Sequence, residues 1–201
     1  MLTRLKLIPL YILIVCGLTI YTVLVLREFD TAYLNVFLRY TGIVSFLLFT
    51  LSFGISGIHY FFRNAITQWV LIRRKAFGLT FAGFFAIHFS LIGVKSIVLG
   101  ANFNSNPNLG ASLVVIAVII MSITSISSIV KKLGPFKWKT IHLICGLYIS
   151  LGLINFYTMS LNRIDHALAF LVLLYSMLAL KLVMYIHRFY VQKNRTKKVS
   201  P

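Results

Sequence analysis

Six long apolar stretches, separated by short polar connections, take up most of this chain: 8–26, 42–62, 77–99, 109–130, 140–159 and 166–186. Each is close to the roughly 20 residues that a helix needs to cross a bilayer. The pattern predicts an all-α integral membrane protein: a bundle of six transmembrane helices over residues 1–190. A polar, basic tail over 191–201 is predicted to be disordered. The spans leave no room for a soluble catalytic domain. Arg4 and Lys6 precede the first stretch, but no clear small-residue cleavage site follows it, so it is read as an uncleaved span.

Composition agrees with the pattern. The 201 residues are 59% hydrophobic and only 11% charged, against about 25% charged in a soluble domain. The net charge of +17 raises the possibility of a nucleic-acid partner, but its placement argues against one. Arg63, Arg73, Arg74 and Lys75 fill the second connection, and Lys131, Lys132, Lys137 and Lys139 fill the fourth. Arg188, Lys193, Arg195, Lys197 and Lys198 fill the C-terminal segment. The only acids, Glu28, Asp30 and Asp165, lie in the first and fifth connections. Basic connections alternate with acidic or neutral ones, as the positive-inside rule requires. Both termini and connections two and four are therefore expected to be cytoplasmic, in a bacterial inner membrane, with membrane lipid as a partner and attraction to anionic headgroups. No nucleic acid is expected. Cys16 and Cys145 both fall in apolar stretches and lack metal-ligand spacing.

Within such spans an ionisable side chain marks a functional site by default. His88 lies about 11 residues into the third stretch, so ~17 Å deep. His142 lies near the cytoplasmic end of the fifth, at a depth matched by His59 near the end of the second. Neutral imidazole can hold a haem iron in lipid, so His88, His142 and His59 are the candidate metal ligands. Nearby Arg63, Arg74, Lys137 and Lys139 could hold haem propionates, or a quinone or flavin phosphate; Arg74 and Lys139 are the cofactor-binding candidates among them. Plainer readings stand beside these. His59, His166 and His187 lie near helix ends, where imidazole can face water. His88 and His142 could each make a structural hydrogen bond between helices. Phe84, Phe85 and Phe89 could be packing, Trp138 an interface anchor, and Lys95 and Lys181 are expected to snorkel.

At these residues the chain resembles a known family. Arg73-Arg74-Lys75-Ala76-Phe77-Gly78-Leu79, followed by His88, and Trp138-Lys139-Thr140-Ile141-His142-Leu143, followed by Tyr148, resemble motifs of ferric-reductase-like transmembrane domains. Within that family the chain is most similar to the haem-binding membrane subunit of methionine sulfoxide reductase systems, over about residues 69–156. The resemblance implies a six-helix b-type cytochrome with one or two haems, and His88 and His142 match its haem-ligand positions. It implies an electron-transfer subunit of an oxidoreductase system, more than a self-contained enzyme. Electrons would pass from a cytoplasmic flavin or quinol donor to an acceptor across the membrane, with a redox partner protein or larger membrane complex. The family carries a second ligand histidine thirteen residues after the first on the fifth helix; here that position is Asn155. Ligation is therefore expected to be incomplete. The alternative is a degenerate relative serving as a non-catalytic structural subunit or anchor. A transporter lacks support, because no paired intramembrane carboxylates occur.

Overall fold

The computed structural model describes residues 31–98 and 109–197. Among them there are six helices and no strand: α1 (Thr31–Phe61), α2 (Ala65–Ile72), α3 (Arg74–Val98), α4 (Leu109–Thr124), α5 (Ser127–Met159) and α6 (Ala167–Lys197). Four of them are long and apolar enough to cross a membrane: Ala32–Phe61, Arg74–Gly93, Ser127–Met159 and Ala167–Asn194. This is the all-α membrane class that the hydrophobic pattern predicts. The expected span 8–26 lies outside the described residues.

Several boundaries differ from the sequence reading, each for a physical reason. α1 is already helical at Thr31, its first described residue, well before the expected start at 42. Asn35 and Arg39 fall in its first turns, and the Lys95 ammonium of α3 donates to Asn35 Oδ1 at 2.7 Å. The second connection contains α2, which a capping box starts. Asn64 Oδ1 accepts from the Thr67 backbone N–H at 2.8 Å, and Thr67 Oγ1 accepts from the Asn64 N–H at 3.2 Å. α2 exposes Ile66, Trp69 and Ile72 while burying Thr67 and Val70. The Arg73 guanidinium lies 4.2 Å from the centre of the Trp69 ring.

α4 ends at Thr124, six residues before the expected end of the fourth span. Ser122, Thr124 and Ser125 each donate a hydroxyl to a carbonyl one turn back, on Val118, Ile120 and Met121. Such bonds compete with the helical ladder. The backbone then tightens to three-residue turns, with Ser125 N–H and Ile126 N–H bonding Ser122 and Ile123.

The expected fourth connection, with Lys131, Lys132, Lys137 and Lys139, is mostly helical as the first part of α5. Gly134 interrupts it at φ 76°, ψ 162°, in a region open essentially to glycine. Pro135 then opens the next helical segment, where its missing N–H and fixed φ cost nothing. At the other end of the chain, α6 continues to Lys197, into the segment read as a disordered tail.

The chain forms two compact units, each described by itself. The first comprises the described residues of Met1–Phe49 with Lys75–Gly152. Here α1 and α3 run antiparallel. Asn35 meets Lys95, Thr41 meets His88, and Phe49 meets Phe81 with ring centres 5.3 Å apart. α4 and α5 also run antiparallel: Thr124 meets His142, and Gly152 faces Val114. Phe46, Phe49 and Ile149 are core residues of this unit. On α4, Leu113, Ile116, Ile119, Ile120 and Ile123 are exposed, an apolar surface suited to lipid.

The second unit comprises Thr50–Arg74 with the described residues of Leu153–Pro201. Its α1 segment runs parallel to α6: Gly54 faces Met177, Gly57 faces Leu180 and Lys181, and Tyr60 meets His187. A Cβ added at Gly57 would lie 3.3 Å from the Lys181 backbone nitrogen. The two backbones approach closely only because position 57 carries no side chain. The buried residues of α6 recur every three or four positions: Ala167, Leu171, Leu174, Met177, Lys181 and Met184. Lys181 thus occupies an apolar stripe. The expected snorkelling is corrected, because its side chain is 5% exposed. It turns inward onto Phe53, with Nζ 3.2 Å from the ring centre.

Candidate functional site: three histidines held by threonines

Each of the three candidate ligand histidines meets a threonine hydroxyl. His88 Nδ1 is 3.0 Å from Thr41 Oγ1. His59 Nδ1 is 2.9 Å from Thr67 Oγ1. His142 Nε2 is 3.1 Å from Thr124 Oγ1. Sequence reasoning found the histidines and missed the threonines. The available signal was a hydroxyl residue within an apolar helix, or at the cap of a short one.

The threonines decide which imidazole nitrogen carries the proton. A hydroxyl has one hydrogen to donate. Thr41 Oγ1 lies 2.8 Å from the Phe37 carbonyl, nearer than either Leu38 or His88. Its hydrogen therefore belongs to Phe37, and His88 Nδ1–H donates to Thr41. Thr67 Oγ1 lies 2.7 Å from the Phe62 carbonyl, so His59 Nδ1–H donates to Thr67. Thr124 Oγ1 lies 2.7 Å from the Ile120 carbonyl, so His142 Nε2–H donates to Thr124. These tautomers are assigned from the hydrogen-bond network.

The consequence for iron binding differs between the three. In neutral His88 and His59 the lone pair is on Nε2, and Nδ1–H is anchored by a neighbouring group. An orienting bond of this kind is what a metal-ligating imidazole carries on its second nitrogen. The donor set therefore fits a haem iron at His88 and at His59, one imidazole each. His142 is different. It is 7% exposed, lies under the Trp138 ring at 4.5 Å between centres, and directs Nε2–H to Thr124. Its lone pair is therefore on Nδ1, and ligation through Nε2 requires the bond to Thr124 to break.

Packing around His88 is specific. A Cβ added to Gly42 would lie 3.1 Å from His88 Cε1, so the imidazole edge rests on the bare backbone of α1. His88 and His142 belong to the first unit and His59 to the second. Among the described residues no group of three or more His, Cys, Asp or Glu side chains could hold a metal ion.

The basic candidates separate. Lys139 and Lys137 are exposed. Arg74 is partly buried at the start of α3 and belongs to the second unit. Asn155 is exposed on α5. Of the remaining histidines, His187 is exposed and its Nδ1 pairs with the Tyr60 hydroxyl. His166 packs against Phe170 at 4.7 Å between ring centres. No family model, curated protein or solved structure matches the chain.

Proposed function

We propose that the chain is a membrane electron-transfer subunit of the ferric-reductase-like kind, in which His88 holds a b-type haem. The observation that carries this reading is the chain of contacts from His88 to Thr41 to the Phe37 carbonyl. It fixes the imidazole and leaves Nε2 as the lone-pair nitrogen. A haem bound there would supply a one-electron iron couple within the membrane. Thr41 orients the ring, Gly42 leaves room for its edge against α1, and Ile87 and Leu91, packed with Leu34, exclude water beside it. His59 offers the same tautomer in the second unit and is the candidate for a further ligand. A flavin or quinone remains the alternative cofactor. The proposal includes six spans, cytoplasmic termini and a bacterial inner membrane, supported by the alternating basic connections. It also includes a redox partner, because nothing in the described residues forms a substrate-processing site.

The absorption spectrum of the purified protein tests it. A Soret band that disappears or shifts in His88→Ala is expected. No haem in protein purified from haem-replete membranes would overturn it. The enclosed environment of His142 favours a second reading, a structural subunit whose histidines only join helices. That reading predicts a colourless protein that is destabilised by His142→Ala.

A further inference from the structure

The connection between α1 and α3 presents an apolar face that the haem reading does not use. α2 has only eight residues, and the ends of two apolar spans, Phe61 and Arg74, bracket it. Contacts with the end of α1 fix its roll about its own axis. His59 Nδ1–H donates to Thr67 Oγ1 at 2.9 Å, and the Thr67 hydroxyl donates to the Phe62 carbonyl at 2.7 Å. The Asn64 capping box closes the same turn. Thr67 and Val70 are buried on that side. At about 100° per residue, Ile66, Trp69 and Ile72 share an arc of about 120° that leaves out both buried residues. Ile66 is 74% exposed, Ile72 72% and Trp69 50%. Phe62, just before the cap, is exposed as well. Bulky apolar side chains clustered in this way mark a contact surface and not a solvated loop.

Position and charge identify what covers it. Joined covalently to the ends of two spans, α2 lies at the level where acyl chains give way to headgroups. Arg63 precedes the helix, Arg73 follows it, and no acidic residue occurs from 63 to 75. The Arg73 guanidinium, 4.2 Å from the centre of the Trp69 ring, makes a cation–π contact that joins charge to the apolar face. Tryptophan concentrates at membrane interfaces because its ring is apolar and its N–H is polar. An apolar face flanked by arginine is the make-up of helices that lie in the surface of anionic bilayers. We propose that α2 is an interfacial helix that docks on anionic phospholipid. Ile66, Trp69 and Ile72 enter the boundary between headgroups and acyl chains, and Arg63 and Arg73 meet lipid phosphates. The proposal rests on α1 and α3 crossing the membrane and is independent of haem.

Trp69 and Trp138 are the only tryptophans in the chain, so Trp69 fluorescence in Trp138→Phe reports on the contact. The full chain is placed in phosphatidylcholine vesicles carrying the same mole fraction of either brominated phosphatidylcholine or brominated phosphatidylglycerol. The expected result is stronger quenching by lipid brominated near the headgroup than by lipid brominated deep in the chains, little quenching by aqueous acrylamide, and a preference for phosphatidylglycerol. Arg63→Gln should lower that preference about fivefold, the effect of one charge at the surface of an anionic membrane, and Arg63→Lys should restore it. If Trp138→Phe fails to fold, the difference between wild type and Trp69→Phe supplies the same signal. Quenching by acrylamide but not by lipid overturns the proposal, as does equal quenching by the two lipids. So does protection from both quenchers, which would mean that a second copy of the chain or a partner protein covers the face. Leu47→Trp, at an exposed position halfway along α1, tests the premise separately in a chain without the other two tryptophans. If lipid brominated deep in the chains fails to quench it, the spanning of α1 is overturned instead.

Discussion

The three histidine–threonine pairs are the main finding at the scale of the residue, and they make unequal predictions. Thr41→Val keeps the volume but removes the partner of His88 Nδ1–H. The expected loss is about 1 kcal/mol, typical of an interhelical hydrogen bond in a membrane protein. If His88 holds haem, the same change should shift the Soret band without abolishing it; thermal unfolding and absorption spectra read the two effects separately. Thr124→Val should destabilise by a similar amount and leave any haem spectrum unchanged. A His142-bound haem would contradict that. Asn155→His places an imidazole on an exposed face of α5, so haem content and spin state should not change. A new low-spin band would show that position 155 faces a cofactor after all. The histidines were legible in the sequence because a polar residue in an apolar run stands out. Their threonine partners were not, because a hydroxyl that bonds its own helix turn is common in apolar helices. Lys181 was misread by hydropathy alone. Its three-and-four spacing with Leu174, Met177 and Met184 was the better guide.

At the scale of the element, glycines set two geometries. Gly134→Ala should cost about 1–3 kcal/mol, because φ 76° strains any other residue whatever the space around it. The signature should be a lower melting temperature with helix content nearly unchanged by circular dichroism. Gly57→Val should cost a similar amount by forcing α1 from the α6 backbone, and cross-linking between cysteines placed at positions 60 and 187 should fall. Retained cross-linking would mean that α6 slides to accommodate the methyl groups. Both sites belong to local motifs that a span-length window averages away. The Leu-Gly-Pro run at 133–135 and the Asn64-to-Thr67 capping box are short and precede mostly apolar residues. A hydropathy profile therefore records α2 and the start of α5 as connections.

For the whole molecule, the count of long apolar helices follows from hydrophobic run length, and their relative directions follow from contacts far apart in the chain. α1 is antiparallel to α3 within the first unit and parallel to α6 within the second. Alternating insertion of successive spans produces this arrangement. A reporter fused after Pro201 should accordingly remain cytoplasmic, and a periplasmic signal would require the basic connections to be reassigned. These relative directions are those that alternating basic connections predict, whereas the pairing of α1 with α6 was not legible in the sequence. That pairing depends on Gly54 and Gly57 meeting residues more than a hundred positions away.

This long-range pairing imposes an order on biogenesis. Every described contact of the first unit is available once the ribosome has passed Gly152. The second unit is discontinuous and needs α6, the last of the described helices. Until α6 arrives, Gly54 and Gly57 of α1 lack the α6 residues that they face, and close-approach surfaces of this kind pair readily with other membrane helices. A chain released early would therefore carry an intact histidine–threonine pair at His88 and an uncovered adhesive face on α1. Membrane quality control would meet a half-assembled product with its redox candidate already in place.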